Sequence, residues 1–283
     1  MSQKRIAFQG ELGANSHEIC HAAYPDYEPV PHASFEDAFE AVRSGDCRLG
    51  MIPVENSIAG RVADVHHLLP DSGLRIIGER FKPIHFQLMV NPGVTLDQVK
   101  IACSMPIALG QCRKALRRLG LKTEPVGDTA LAAKMLAERP DPSRAAVSPA
   151  LAAEMYGLDI LLRDIEDEHN NTTRFLVMTA EPDPARPPFT EPCITSFVFR
   201  VKNLPAALYK ALGGFATNGV NMIKLESYME NGSFTATFFY CEVEGRPEDR
   251  GVARAFDELQ FFSEKFEILG VYPADPFRKR SLP

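Results

Sequence analysis

The sequence predicts an α/β domain of two lobes with a cleft between them, followed by a smaller α+β domain of ferredoxin-like order. Three observations predict it. Strand-like and helix-like patterns alternate from the first residues to about residue 180, the rhythm of parallel sheets with helices on both faces. The proline-dense stretch Glu181–Pro188 then reads as a stiff linker and a domain boundary. Beyond it the pattern changes to β-α-β-β-α-β. A chain of 283 residues has room for about two domains.

The elements follow in order. Arg5 to Phe8 reads as a strand, Gln9 to Ser16 as a glycine-containing loop, and His17 to Tyr24 as a helix. Such a loop can offer backbone N–H groups to an anion, although it is neither a dinucleotide fingerprint nor a phosphate loop. Ser34 to Asp37 is close to a capping box, and Phe35, Ala38, Phe39 and Val42 share a helical face that Gly45 ends. Leu49 to Val54 is a buried strand. It delivers the polar loop Glu55 to Gly60 to the start of a helix with Val62, Val65, Leu68 and Leu69 inward. His66 and His67 on that helix read as surface or packing residues, because nothing completes a metal set with them.

Arg75 to Gly78 and Ile84 to Val90 are strands, the second of period two. Asn91-Pro92-Gly93 turns the chain, and Thr95 to Gln98 reads as a capping box for a short helix. Lys100 to Cys103 is a strand, followed by Ser104 and a helix with Leu109, Cys112, Leu116 and Leu119 inward. Asp128 caps a helix from Thr129 to Glu138. Arg144 to Val147 is a strand, Pro149 opens a helix ending near Gly157, and Ile160 to Leu162 is a strand. In the second domain Ile194 to Val201 is a strand, and Pro205 opens a helix that Asn218-Gly219 stops. Met222 to Tyr228 and Phe234 to Val243 form a hairpin through Asn231-Gly232. A helix from Asp249 to Phe262 and a strand from Phe266 to Tyr272 complete the set. Small domains of this order often pair with a second copy.

Composition narrows the function. A net charge of -6 argues against nucleic acid, which would want a basic face, but leaves a small acidic ligand open. The six cysteines are scattered, with no C-x-x-C pair, which fits buried thiols in a reducing cytoplasm better than disulfides or zinc. The N-terminus does not read as a signal peptide, and no apolar run approaches the length of a membrane span.

The most informative stretch is Asn170-Asn171-Thr172-Thr173-Arg174-Phe175, set between an acidic run and the apolar Leu176-Val177-Met178. It carries two carboxamides, two hydroxyls and one guanidinium. An Asn-rich turn with a solvated Arg174 would read the same way, but these groups also suit an anionic substrate: hydrogen-bond donors and a planar fork for a carboxylate. The loops Glu55 to Ser57, Ser104 to Gln111 and Asn170 to Arg174 are expected to meet in the cleft.

These residues together resemble the prephenate dehydratase family. The family's glycine loop is similar to Gly10–Ser16, and its Pro-x-Glu-Asn-Ser/Thr-x-x-Gly motif to Pro53–Gly60. Its Ser with a Gln seven positions later falls on Ser104 and Gln111, and its Thr-Arg-Phe on Thr173, Arg174 and Phe175. Asp128–Ala133 and Tyr156-Gly157-Leu158 also resemble family stretches. Leu204–Leu208 and Leu225–Met229 resemble parts of the family's phenylalanine-binding ACT domain. Three positions depart: Ala206 stands where the family has Gly, Tyr228-Met229 where it has Arg-Pro, and Met105 where it has His.

The resemblance implies a catalytic domain over 1–182, two-lobed and periplasmic-binding-protein-like. Lobe 1 spans about 1–80 and 163–182, and lobe 2 about 81–162. An ACT regulatory domain spans 190–283. The implied activity is decarboxylating dehydration of prephenate to phenylpyruvate in phenylalanine biosynthesis, by a cytoplasmic homodimer or homotetramer joined through its ACT domains, with L-phenylalanine as allosteric inhibitor. Thr173 is the implied proton donor and Arg174 the carboxylate clamp. Asn56, Ser57, Glu55, Ser104, Gln111, Ser16 and Phe175 line the substrate. Glu55 is expected either to be protonated or to organise its loop from behind. Ala206, Ala207, Leu208, Asn221, Glu226 and Ser227 are expected at the effector site, with weakened inhibition where the chain departs from the family. Because aromatisation drives the reaction, no cofactor or metal is implied. Two other classes fit the same cleft: a two-lobed carboxylate-binding sensor, and another ACT-regulated enzyme acting on a carboxylate.

Overall fold

The structure is a computed structural model and describes residues 4–182, 188, 190–229 and 236–280. The predicted Asn231-Gly232 turn and most of the proline-dense linker lie outside these residues. The chain forms two units, one of residues 1–65 and 80–175, the other of residues 66–79 and 176–283.

The first unit contains two sheets. The first is built from β1 (Arg5–Gln9), α1 (Asn15–Ala23), β2 (Glu28–His32), α2 (Phe35–Arg43), β3 (Leu49–Asn56) and β4 (Gly60–Arg61). Helix α3 (Ala63–Leu68) and strand β5 (Arg75–Pro83) then carry the chain out of this unit and back. The second sheet collects β6 (Gln87–Val90), β7 (Ile101–Ser104), α4 (Pro106–Gln111), α5 (Arg113–Arg118), β8 (Lys122–Pro125), α6 (Thr129–Glu138), β9 (Arg144–Ser148), α7 (Ala150–Tyr156) and β10 (Asp159–Leu162). Strand β11 (Thr172–Thr179) returns to the first sheet, where the order is β11-β3-β1-β2. Strand β1 is parallel to both neighbours, and Ile6, Ala7 and Phe8 on it are fully buried, as a strand covered on both faces requires.

The second sheet runs β10-β6-β9-β7-β8. Strands β7, β8 and β9 are parallel, but β6 is antiparallel to both β9 and β10, which corrects the expectation of a purely parallel sheet. Its core gathers Leu88, Val90, Ala102, Leu116 and Val147.

Other expectations shift locally. Strand β8 was not read from the sequence, because Lys122-Thr123-Glu124-Pro125 has no apolar run. Thr95 to Gln98 forms a turn closed by Gln98 Oε1 on the Thr95 N–H (2.8 Å), not a helix. The helix expected through Cys112 is broken there, where φ is -108° and ψ 15°. The glycine loop packs rather than gapes. A Cβ on Gly13 (φ +92°) would lie 2.9 Å from Ala152 Cα, Tyr156 Oη donates to Leu12 O at 2.7 Å, and Lys134 pairs with Glu11 at 3.0 Å. It is a seam between the two lobes, and no anion cradle is needed to explain its glycines.

The second unit has the expected order β12 (Cys193–Val201), α8 (Ala207–Thr217), β13 (Met222–Met229), β14 (Ala236–Glu244), α9 (Arg250–Phe262) and β15 (Ser263–Pro273), with a short α10 (Phe277–Arg280). Its strands run β13-β14-β12-β15, all antiparallel. Helices α8 and α9 cover one face over Phe197, Phe199, Phe215, Phe239 and Phe256. Strand β15 also pairs with β5 at Gly270 and Ile76, where a Cβ on Gly270 would fall 2.1 Å from Ile76 O. Only glycine admits that approach. Glu79, fully buried, takes both ends of the Arg278 fork at 2.6 and 2.8 Å, so its charge is compensated.

Candidate active site

The site is built at the adjoining ends of β3 and β11 and completed by α4. The Glu55–Gly60 loop is a tight turn into β4, pairing Glu55 with Arg61 and Asn56 with Gly60, and not the direct lead into a helix that the sequence suggested. Asn56 makes the turn. Its Oδ1 accepts from Ile58 N (3.0 Å) and Ala59 N (2.8 Å), a side chain standing in for backbone.

Those two backbone donors fix which end of the amide is oxygen. The Asn56 nitrogen must then face the other way, donating to Asn171 Oδ1 at 2.7 Å and to Thr173 Oγ1 at 3.0 Å. With its oxygen taken, Asn171 turns its own nitrogen to Gln111 Oε1 at 3.1 Å. Each orientation follows from the one before. Asn56 uses all four of its hydrogen-bonding positions. At the two ends of the relay stand a Thr173 hydroxyl that already accepts a hydrogen bond and a Gln111 whose oxygen is occupied. Each still has a donor to offer.

Alternation along the strands sorts the charged pair. Thr173 and Arg174 leave β11 on opposite faces, as Asn56 and Glu55 leave β3. Arg174, 2% exposed, reaches Glu55 Oε1 at 2.9 Å and lies over the Phe81 ring at 6.0 Å. Thr173 and Asn56 form one cross-strand pair; Arg174 and Glu55 form another behind it. Phe175, buried, alternates back to the Thr173 side.

The hydroxyls are spent differently. Ser57 Oγ donates to Asn170 O at 2.8 Å and accepts from Thr172 N at 2.9 Å, so it clamps the turn to β11. Ser104, fully buried, donates to Val147 O at 2.6 Å within the second sheet. Ser16 lies buried in α1, and among the described residues nothing bonds its hydroxyl. A cavity of about 320 Å³ opens beside Gln111, lined by Ile58, Ala59, Ile107, Lys114 and Glu168. Asn171 and Lys114 were not singled out in the sequence. An Asn beside another Asn reads as turn chemistry, and a lysine on an amphipathic helix reads as solvated.

No thiol competes as a nucleophile. All six cysteines are free and buried, and burial pushes each thiol above its ordinary value.

The prephenate dehydratase family model matches residues 6–183. The chain belongs to that family. Its relatives include a bifunctional N-acyl-homoserine lactone acylase/prephenate dehydratase of Komagataeibacter europaeus, 48% identical over 98% of this chain and 99% of that protein. Arogenate dehydratase 2 of Petunia hybrida is 36% identical over 97% of this chain and 73% of its own length. Among solved structures, prephenate dehydratase of Arthrobacter aurescens in complex with L-Phe superposes with a TM-score of 0.86 at 30% identity, covering 95% of this chain and 90% of that one. Family membership places the amide relay inside the matched segment, since Asn56, Gln111, Asn171 and Thr173 all fall within it. Among the described residues, no helix is long and apolar enough to cross a membrane.

Proposed function

We propose that the chain converts prephenate to phenylpyruvate, carbon dioxide and water. The observation that carries this reading is the polarity of the relay, which leaves the Thr173 hydroxyl as a donor. As the ring carboxylate departs as carbon dioxide, its bonding electrons enter the ring and expel the ring hydroxyl. Thr173 gives that hydroxyl a proton, so that water leaves. The charge developing on Oγ1 is met by the Asn56 N–H already aimed at it, in place before the reaction begins. Solvent restores the proton.

Gln111 Nε2 and Lys114 supply further donors beside the cavity, and Ser16 a hydroxyl. Arg174 acts from behind the strand. It offsets Glu55 and holds the β3 end rigid, the role the sequence left open for Glu55. Ser57 and Ser104 hold backbone in place, and Phe175 supports the Thr173 side of β11.

The second unit is read as an ACT domain that binds L-phenylalanine and joins two or more copies of the chain. Ala206, Ala207 and Leu208 begin α8. Asn221 is already bonded to Glu244 Oε2 at 3.0 Å, and Glu226 pairs with Lys224 at 3.4 Å, next to Ser227. The Arthrobacter complex with L-Phe supports this reading.

The test is a substrate panel on the purified chain. Phenylpyruvate from prephenate, slowed by L-phenylalanine, is the expected result. Phenylalanine from arogenate, with no phenylpyruvate from prephenate, would move the substrate to the amino form named in the petunia relative. Release of homoserine lactone from an N-acyl-homoserine lactone would bring in the second activity of the Komagataeibacter relative, a reading supported by 48% identity along the whole chain. No turnover of any of them leaves the binding sensor.

A further inference from the structure

Apart from the Asn56–Thr173 pair, the first unit brings three metal-ligating side chains to one place. His85 Nδ1 lies 2.8 Å from Glu166 Oε1 and 3.9 Å from Asp164 Oδ1. One ligand atom from each of these three falls within 4.8 Å of the others. His169 Nδ1 stands 4.0 Å from the same Glu166 oxygen. We infer that His85, Asp164 and Glu166, with water completing the shell, form a binding site for a divalent transition-metal ion of the zinc class.

The distances suit the ion. Tetrahedral zinc with bonds of about 2.0–2.2 Å separates its ligand atoms by about 3.3–3.6 Å. The His85 separations of 2.8 and 3.9 Å bracket that value, so rotamer adjustments suffice. A simple His85–Glu166 hydrogen bond accounts for one contact, and Gln87 holds Asp164 so that its Oδ1 stands 3.9 Å from the same His85 nitrogen.

The carboxylates are also held from outside, as ligating groups need to be. Glu166 Oε2 accepts from Phe86 N at 3.0 Å. Gln87, 3% exposed, grips Asp164 twice: its Nε2 donates to Oδ1 at 3.2 Å and its Oε1 accepts from Asp164 N at 3.1 Å. The His85 and Asp164 side chains are 48% and 58% exposed, so an ion and completing water can reach them. Imidazole nitrogens mixed with carboxylate oxygens favour zinc-class ions over magnesium or calcium. Asp167 and Glu168 add negative charge nearby in the chain.

Binding would staple residues 85–87 to 164–169, immediately before Asn170 and Asn171. Ile84 N already donates to Asn171 O at 2.9 Å. The ion would therefore steady the relay without touching it.

The experiment is calorimetric titration of the full chain, stripped with EDTA, with zinc and separately with magnesium. One zinc per chain is expected, with a rise in melting temperature and no heat from magnesium. Asp164→Asn and His85→Gln should each weaken zinc binding at least tenfold. Absence of saturable one-to-one uptake overturns the site, as does uptake that neither substitution weakens. Should a variant fail to fold, paramagnetic cobalt in the wild-type chain decides. Amide signals of residues 84–87 and 164–169 must broaden first, and broadening centred elsewhere assigns the ion elsewhere.

Discussion

The Thr173 oxygen accepts from Asn56 Nδ2 at 3.0 Å, and its O–H remains to donate outward. A threonine hydroxyl is a feeble acid, and its usefulness depends on a prearranged partner for the charge left behind. Thr173→Ala should lower kcat by roughly 10²–10⁴ with the fold intact, the usual range for a positioned proton donor. Thr173→Ser should keep more of the rate because the hydroxyl survives. Steady-state kinetics on prephenate checks both, and wild-type kcat in the alanine variant removes Thr173 from the mechanism. Arg174 belongs to the same scale but to the other face of β11, where Glu55 holds one end of its fork at 2.9 Å.

At the scale of elements, two caps carry predictions of opposite character. Asp128 opens α6 by accepting from Ala130 N (2.8 Å) and Leu131 N (3.1 Å), while burial holds its carboxyl above the usual range. A carboxyl with a raised folded pKa resists ionisation in the folded state. Folding therefore loses stability as pH rises through the ordinary carboxylate range to the raised value, and does not recover it above. Asp128→Asn keeps the cap and removes the charge. Urea unfolding should show the variant gaining on wild type as pH rises above the ordinary carboxylate range, and a constant gap would contradict this. Ala206 precedes α8 with φ +57°, a left-handed conformation that costs an alanine about 1–2 kcal/mol. Ala206→Gly relieves it at the expense of a freer unfolded chain, so a net gain of up to about 1 kcal/mol is expected. A loss of that size in urea unfolding would mean the strain is absent. The same variant should bind L-phenylalanine more tightly if the alanine methyl obstructs the effector. Much of this level was legible in the sequence: the Ser34 and Asp128 caps, the alternating first unit and the β-α-β-β-α-β order came from periodicity and capping alone. What escaped depended on contacts distant in the chain. Asn171 reads as turn chemistry until Asn56, 115 positions away, is beside it. The His85–Glu166 contact spans 81 positions, and Gly270 is explained only by the Ile76 carbonyl against it. The break at Cys112 and the Glu55–Gly60 hairpin escaped because helical periodicity continues through the one and a side chain closes the other.

For the molecule as a whole, the relay joins both sheets of the first unit: Asn56, Asn171 and Thr173 come with β3 and β11, and Gln111 ends α4 beside the second sheet. Its polarity is therefore a property of the closed unit and not of any one motif. Inhibition by L-phenylalanine, as proposed, would be a coupling between its binding and that of the substrate. A typical coupling of about 1–3 kcal/mol corresponds to about 5–150-fold in substrate affinity, and by reciprocity a substrate analogue should weaken L-phenylalanine binding by the same factor. The most direct test of the central claim is kcat for prephenate in Asn56→Asp. The substitution keeps the shape and replaces the amide donors facing Thr173 and Asn171 with an oxygen, so the Thr173 hydroxyl turns inward to donate to it. The account predicts a loss of roughly 10²–10⁴ in kcat, matching Thr173→Ala, in a chain that still folds. Wild-type kcat in Asn56→Asp would contradict it.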